Sequence, residues 1–171
     1  VARQAPSSMN TQPWHFHVVT GEPLERIREG NTERMMAGAS VVNFSSVGGI
    51  NGAAFNAAYC TSKAAIRMLS KCLGAEFAAL GYNIRVNSVS PGVVATPSTP
   101  EIEAPLFKAA YRKQIPMDRY GTPEDIAKVC TFLLSDDAGF VTGQDIIIDG
   151  GQIACQDNGR YMEIPGLKKE R

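Results

Sequence analysis

The sequence predicts an α/β fold: a parallel sheet of about four strands flanked by helices. Short, continuous apolar runs read as buried strands. They alternate with longer stretches whose apolar residues recur at helical spacing. The resulting strand-helix-strand order calls for crossover connections, which are right-handed in nearly all cases and leave consecutive strands parallel.

After a short N-terminal loop, residues 14–20 read as the first strand. Pro23 follows near a helix start, where its missing N–H does no harm. Residues 24–36 form a helical stretch with a thin apolar face of Leu24, Ile27 and Met35. Residues 39–44 are the next strand, delivering Ser46 just past its end, and a glycine-rich loop spans 48–56. A long helix is expected over 57–80, with Ile66, Leu69, Leu73, Phe77 and Leu80 as its buried stripe. Gly81 ends it. Residues 84–89 form a strand running into a Pro91-Gly92 turn. Residues 96–117 are interrupted by prolines. Thr122-Pro-Glu-Asp opens a helix, with an N-cap threonine and acids in the first turn, that runs to Leu134. The last strand, 145–149, buries Ile146, Ile147 and Ile148; residues 152–171 show no periodicity. The first strand would pair with the 41–44 strand through Val18, completing the four.

A length of 171 residues suits one domain, and 44% apolar with 20% charged residues allows a buried core. Seventeen Lys and Arg balance seventeen Asp and Glu, which argues against nucleic acid or an anionic membrane as the main partner. No apolar stretch approaches the roughly 18 residues of a membrane span, and no secretory signal is seen. The four cysteines, 60, 72, 130 and 155, form no C-x-x-C and read as reduced thiols of a cytoplasmic protein. His15 and His17 lack a third ligand, so no metal site is expected.

The chemistry concentrates in Tyr59 and Lys63, four residues apart, with Ser46 thirteen residues before the tyrosine. Side chains at i and i+4 share a helix face, with Cβ atoms roughly 5–6 Å apart. An ammonium at that distance favours the ionised phenol, whose ordinary pKa is about 10. Such a phenol can exchange a proton with an alcohol or carbonyl oxygen. A serine arriving from a strand end can hydrogen-bond the same oxygen.

Ser46, Tyr59, Lys63, Pro91-Gly92, Thr96 and Asp149-Gly150-Gly151 occur in the order and register of the C-terminal part of the short-chain dehydrogenase/reductase family, which residues 38–151 resemble. The resemblance implies an incomplete Rossmann-like three-layer sandwich. It implies catalysis by Ser46, Tyr59 and Lys63, and nicotinamide-side contacts from Tyr59, Lys63, Pro91, Gly92, Val94 and Thr96 to NAD or NADP. It also implies an alcohol or carbonyl substrate, a lid within 96–117, and homo-oligomer contacts through the helix 57–80. The family's Gly-rich pyrophosphate turn and Asn-Asn-Ala-Gly strand end have no counterpart before Ser46. NAD and NADP therefore cannot be told apart here, and cofactor grip is expected to be impaired.

Residues 1–37 differ. The string from Ala5 to Thr20, with its unusual Asn10-Thr-Gln-Pro-Trp14, resembles a flavin-contacting segment of the nitroreductase family. That resemblance maps FMN contacts onto Pro6, Ser7, Ser8 and Asn10. Without that family's arginine cluster and the rest of its fold, flavin binding by this segment is not expected. The expected organisation is a nitroreductase-like unit over 1–37, a dehydrogenase-like catalytic part over 38–151 and a tail over 152–171, joined as a chimera near Gly38-Ala39. A non-catalytic oligomerisation chain is the alternative.

Overall fold

The computed structural model describes residues 38–96 and 114–154, together with Glu22, Glu25 and Pro105. The expected strand 14–20, its pairing through Val18, the helix 24–36, most of the proline-interrupted segment and the tail beyond 154 lie outside the described residues. Within them run β1 (Ala39–Phe44), α1 (Ala57–Ala79), β2 (Ile84–Pro91), α2 (Pro123–Leu134) and β3 (Asp145–Ile148). The described strands form one parallel sheet in the order β1-β2-β3. Helices lie on both faces, giving three layers, as the strand-helix alternation requires.

The two faces differ in chemistry. Val89, Ile126 and Leu133 form the core under α2, joined by Val42, Val129, Cys130, Val141, Ile146 and Ile148. The same face carries Arg85 and buried Asn87, whose side chains donate to Leu133 O, Ser135 O and Val141 O at 2.8 Å. The face under α1 combines buried Ile84 and Val86 with Asn43, Ser45, Ser88, Ser90 and Asp145, and the polar part is closed by hydrogen bonds. Asn43 donates to Ser70 Oγ at 2.9 Å. Ser88 and Ser90 donate to the Asp145 carboxylate at 2.6 and 2.9 Å, and Arg67 Nε reaches its other oxygen at 3.0 Å. The buried positions of α1 are Ser70 and Gly74. Leu69 and Leu80, expected in a buried stripe, are more than half exposed at 54% and 58%. The correction has a physical cause: a polar sheet face selects small and hydrogen-bonding residues on the helix that covers it.

Glycines set how closely α1 approaches. A Cβ on Gly74 would lie 2.6 Å from Gly143 N and 2.8 Å from Gly143 Cα, so the helix rests directly on that turn. Gly143 has φ +68° and donates to Val86 O at 2.7 Å. α1 ends at Ala79 with Leu80 as its C-cap, and Gly81 follows with φ +73°, the left-handed residue usual past a helix C-terminus.

β2 runs two residues beyond the expected Val89, pairing Pro91 with Ile148. Its even-numbered residues donate toward β3: Ser88 N to Gln144 O and Gly92 N to Ile148 O. The missing N–H of Pro91 thus faces the β1 side, where the last bond is Ser45 N to Val89 O; lacking a donor for the next one, the proline ends that ladder.

α2 begins as the sequence predicts. Thr122 and Asp125 form a reciprocal capping box with Pro123 in the first turn. Arg119 grips the Asp125 carboxylate through two hydrogen bonds, at 2.6 and 3.1 Å. That bond and the Thr122 backbone N–H hold Asp125 well below the usual carboxylate range. A group depressed in this way stabilises the fold fully above the unfolded aspartate value of about 3.9 and loses that contribution as pH falls. Asp125→Asn is therefore expected to lower the melting temperature at pH 7. The gap to the parent should shrink steadily below about pH 4, as read by thermal unfolding across a pH series.

Candidate active site

Ser46, Tyr59 and Lys63 gather at the carboxyl end of the sheet, where parallel α/β proteins place their ligands. Ser46 follows β1 directly and caps a 3-10 turn, Val47–Gly49. Its Oγ accepts from Gly48 N at 3.0 Å. One lone pair is thereby used, and the hydroxyl proton is left to meet another acceptor.

Gly48 is the point where serine and tyrosine meet. A Cβ built on it would lie 3.2 Å from Tyr59 Cε1 and 3.5 Å from Ser46 Oγ. Both groups therefore border the same small volume. Lys63, one helical turn on, places Nζ 5.8 Å from the Tyr59 ring centroid. Its ammonium donates to the Phe44 carbonyl at 2.9 Å, the last residue of β1. The side chain is half-buried, and burial pushes its pKa down from the ordinary lysine value.

Two contacts that the Tyr-x-x-x-Lys spacing does not reveal hold this cluster. Buried Ser45, 4% exposed, donates from Oγ to Lys63 O at 2.9 Å. Gly49 lies flush on the same helical turn: a Cβ there would sit 2.7 Å from Lys63 C and 2.8 Å from Ala64 N. The Ser45-Ser46 doublet carried a usable signal. Adjacent strand residues point to opposite faces, so one of the two had to face α1.

Pro91 and Gly92 end the neighbouring strand. Ser45 N donates to Val89 O at 2.8 Å, which brings the two strand ends together. A Cβ on Gly92 would meet Asp149 Cβ at 2.8 Å. Val94 forms a parallel bridge with Gly121, and Thr96 follows, half-buried. A cavity of about 250 Å³ opens nearby, lined by Val93, Met117, Arg119, Asp149 and Gly150 among others. Pro6, Ser7, Ser8 and Asn10 lie outside the described residues. Among the described residues no cluster of metal ligands occurs, Cys60, Cys72 and Cys130 are free thiols, and no helix is long and apolar enough to cross a membrane.

Residues 25–152 match the family model described as enoyl-(acyl carrier protein) reductase. The chain belongs to the short-chain dehydrogenase/reductase family. It is 39% identical over 117 residues to an NADP-dependent (R)-specific alcohol dehydrogenase of Lentilactobacillus kefiri, covering 68% of this chain and 46% of that one. It is 44% identical over 114 residues to a 3-oxoacyl-[acyl-carrier-protein] reductase of Thermotoga maritima, covering 67% and 45%. A 4-hydroxyisoleucine dehydrogenase complexed with NADH superposes with a TM-score of 0.68 at 35% identity, over 78% of this chain and 56% of that one. A putative 2-deoxy-D-gluconate 3-dehydrogenase from Agrobacterium tumefaciens with bound NADP gives 0.67 at 31% identity, over 77% and 55%. The chain spans about half the length of the curated relatives it matches. The described layers are thus part of a Rossmann-like short-chain dehydrogenase/reductase fold.

Neither Gly48 nor Gly49 has a left-handed φ, so alanine at either is limited by space alone. Gly49→Ala would push against helix backbone and is expected to cost about 1–3 kcal/mol, the range for overpacking a core. Gly48→Ala meets the edge of one aromatic ring and the serine hydroxyl, and should cost less. Urea denaturation of both variants beside the parent checks the order.

Proposed function

We propose that the chain is an oxidoreductase of the short-chain dehydrogenase/reductase type, working on an alcohol or carbonyl substrate with NAD or NADP. The observation that carries this reading is the convergence of Ser46 Oγ and the Tyr59 ring on Gly48, with Lys63 one turn behind.

A cofactor fits the chemistry of these donors. Lys63 spends one of its three N–H groups on Phe44 O. The others are suited to the hydroxyls of a nicotinamide ribose, with Pro91, Gly92, Val94 and Thr96 proposed along the nicotinamide. Bound there, a nicotinamide would supply or accept the hydride. The chain's own residues handle the proton and the oxygen. Tyr59 Oη takes the hydroxyl proton of an alcohol or gives one to the oxygen of a carbonyl. Ser46 donates its free proton to that oxygen, steadying the charge that develops on it. The Lys63 ammonium offsets the negative charge Tyr59 carries once its proton has left.

The proposed catalytic part is 38–151, with 1–37 as a nitroreductase-like fragment of a chimeric chain and 152–171 as a tail. Flavin chemistry through Pro6, Ser7, Ser8 and Asn10 is not part of the proposal. The compartment proposed is the cytoplasm. A second reading, an assembly chain that pairs with its own copies through α1, is favoured by Met68, Leu69 and Leu80, all more than half exposed on that helix.

Tyr59→Phe keeps the ring and removes the transferable proton. It is expected to reduce kcat/KM by about 10²–10⁴, the usual share of acid-base catalysis, while leaving far-UV circular dichroism unchanged. Turnover of an alcohol surviving that change, followed by nicotinamide absorbance, would refute the mechanism. Lys63→Met should in addition raise the KM for the cofactor.

A further inference from the structure

We propose that Asp145 is a positioning residue of this site: its carboxylate fixes the roll of α1, and so the direction of Tyr59 and Lys63, against the strand that leads into Pro91-Gly92. The inference rests on the reading of Ser46, Tyr59 and Lys63 given above and deepens it.

Asp145 opens β3, and its side chain is only 9% exposed. One carboxylate oxygen accepts from Ser88 at 2.6 Å and from Ser90 at 2.9 Å. The other accepts from Arg67 Nε at 3.0 Å and lies 2.9 Å from Ser90 Oγ as well. Both serines are fully buried on β2, and Ser90 directly precedes Pro91. One carboxylate therefore joins the helix that carries Tyr59 and Lys63 to the strand that ends beside the proposed nicotinamide position.

The other side-chain bonds between α1 and the sheet lie to one side. Lys63 Nζ reaches Phe44 O, Lys63 O accepts from Ser45, and Ser70 accepts from Asn43. Those partners belong to β1 or to the residue after it. Bonds along one strand act as a hinge line, which limits sliding of the helix more than its roll. Among the described residues, Arg67 to Asp145 is the side-chain bond that runs from α1 to β3, off that line. Tyr59, Lys63 and Arg67 follow at four-residue intervals on one helix face. A roll at Arg67 is thus passed to the other two. A group about 6 Å from a helix axis moves about 1 Å when the helix rolls by about ten degrees. A misplacement of that size can cost about 100-fold in rate.

Stability alone does not account for the carboxylate. The Arg67 side chain is 41% exposed, so water screens the ion pair. Apolar side chains of similar volume often replace a buried ionic network with no loss of stability. What an apolar set does not supply is direction.

Two variants separate alignment from stability. Asp145→Asn keeps an oxygen for Ser88 and Ser90 but turns an amide N–H toward Arg67, so it breaks the tie to the helix alone. The combined Arg67→Met, Ser88→Ala, Ser90→Ala, Asp145→Val protein makes the whole network apolar and is expected to melt no lower than Asp145→Asn. Both should lose about ten- to a hundredfold in kcat for oxidation of 2-propanol, with kcat/KM falling in step. Parental kcat in the apolar variant overturns the proposal, because packing would then suffice. A kcat within about twofold of the parent in Asp145→Asn does the same. A second measurement does not need turnover. In protein carrying isotope-labelled tyrosine, the Tyr59 ring resonances are assigned by their loss in Tyr59→Phe. They should shift in Asp145→Asn, although Arg67 lies eight residues, about 12 Å, along the helix from Tyr59. Unmoved resonances overturn the proposal, even if Tyr59→Phe abolishes turnover and the general reading stands. Shifted resonances in a protein whose parent oxidises no alcohol sink the general reading and keep the positioning role.

Discussion

The position of α1 on the sheet depends on directional bonds. Four contacts run along its inner side: Lys63 Nζ to Phe44 O, Ser45 Oγ to Lys63 O, Asn43 Nδ2 to Ser70 Oγ, and Arg67 to Asp145. An apolar interface of similar area would tolerate small slides and rotations. Hydrogen bonds do not, because they weaken steeply with angle, and a buried group left without its partner costs about 1–3 kcal/mol. Translation and rotation of the helix are both set, and with them the direction in which Tyr59 and Lys63 project.

Close backbone approach completes the constraint. Gly49 lies against α1 near its start and Gly74 rests on the Gly143 turn further along. The helix is pinned at two places by the absence of side chains and between them by polar bonds. The opposite face adds apolar burial through Val89, Ile126, Leu133 and their neighbours, and there too Arg85 donates to Leu133 O and Ser135 O and Asn87 to Val141 O, each at 2.8 Å.

Much of this was legible in the sequence. The apolar runs gave β1, β2 and β3; Thr122-Pro-Glu-Asp gave the start of α2; Gly81 gave the end of α1. Ser46, Tyr59 and Lys63 stood out by spacing; Ser46 Oγ and the Tyr59 ring both lie beside Gly48, with Lys63 Nζ 5.8 Å from that ring. The inner face of α1 was misread. Leu69 and Leu80 recur at helical spacing, but periodicity does not reveal what lies across the interface, and here it is serine, asparagine and aspartate. The strand end at Pro91 was placed two residues early because a proline signals a turn. The pairing pattern shows that its missing donor ends only the ladder to β1, while β2 still pairs with β3. The bond from Ser45 Oγ to Lys63 O belongs to tertiary geometry, which no single-residue pattern encodes.

Asp149 joins features that lie far apart in the chain. Its Cβ closes the space beside Gly92, and its carboxylate accepts from Gly151 N and Ile153 N, both at 2.8 Å. A cut made before Ile153 would strip one of those donors and leave anionic charge undercompensated against the end of β2. That donor lies one residue past the point where the family match stops.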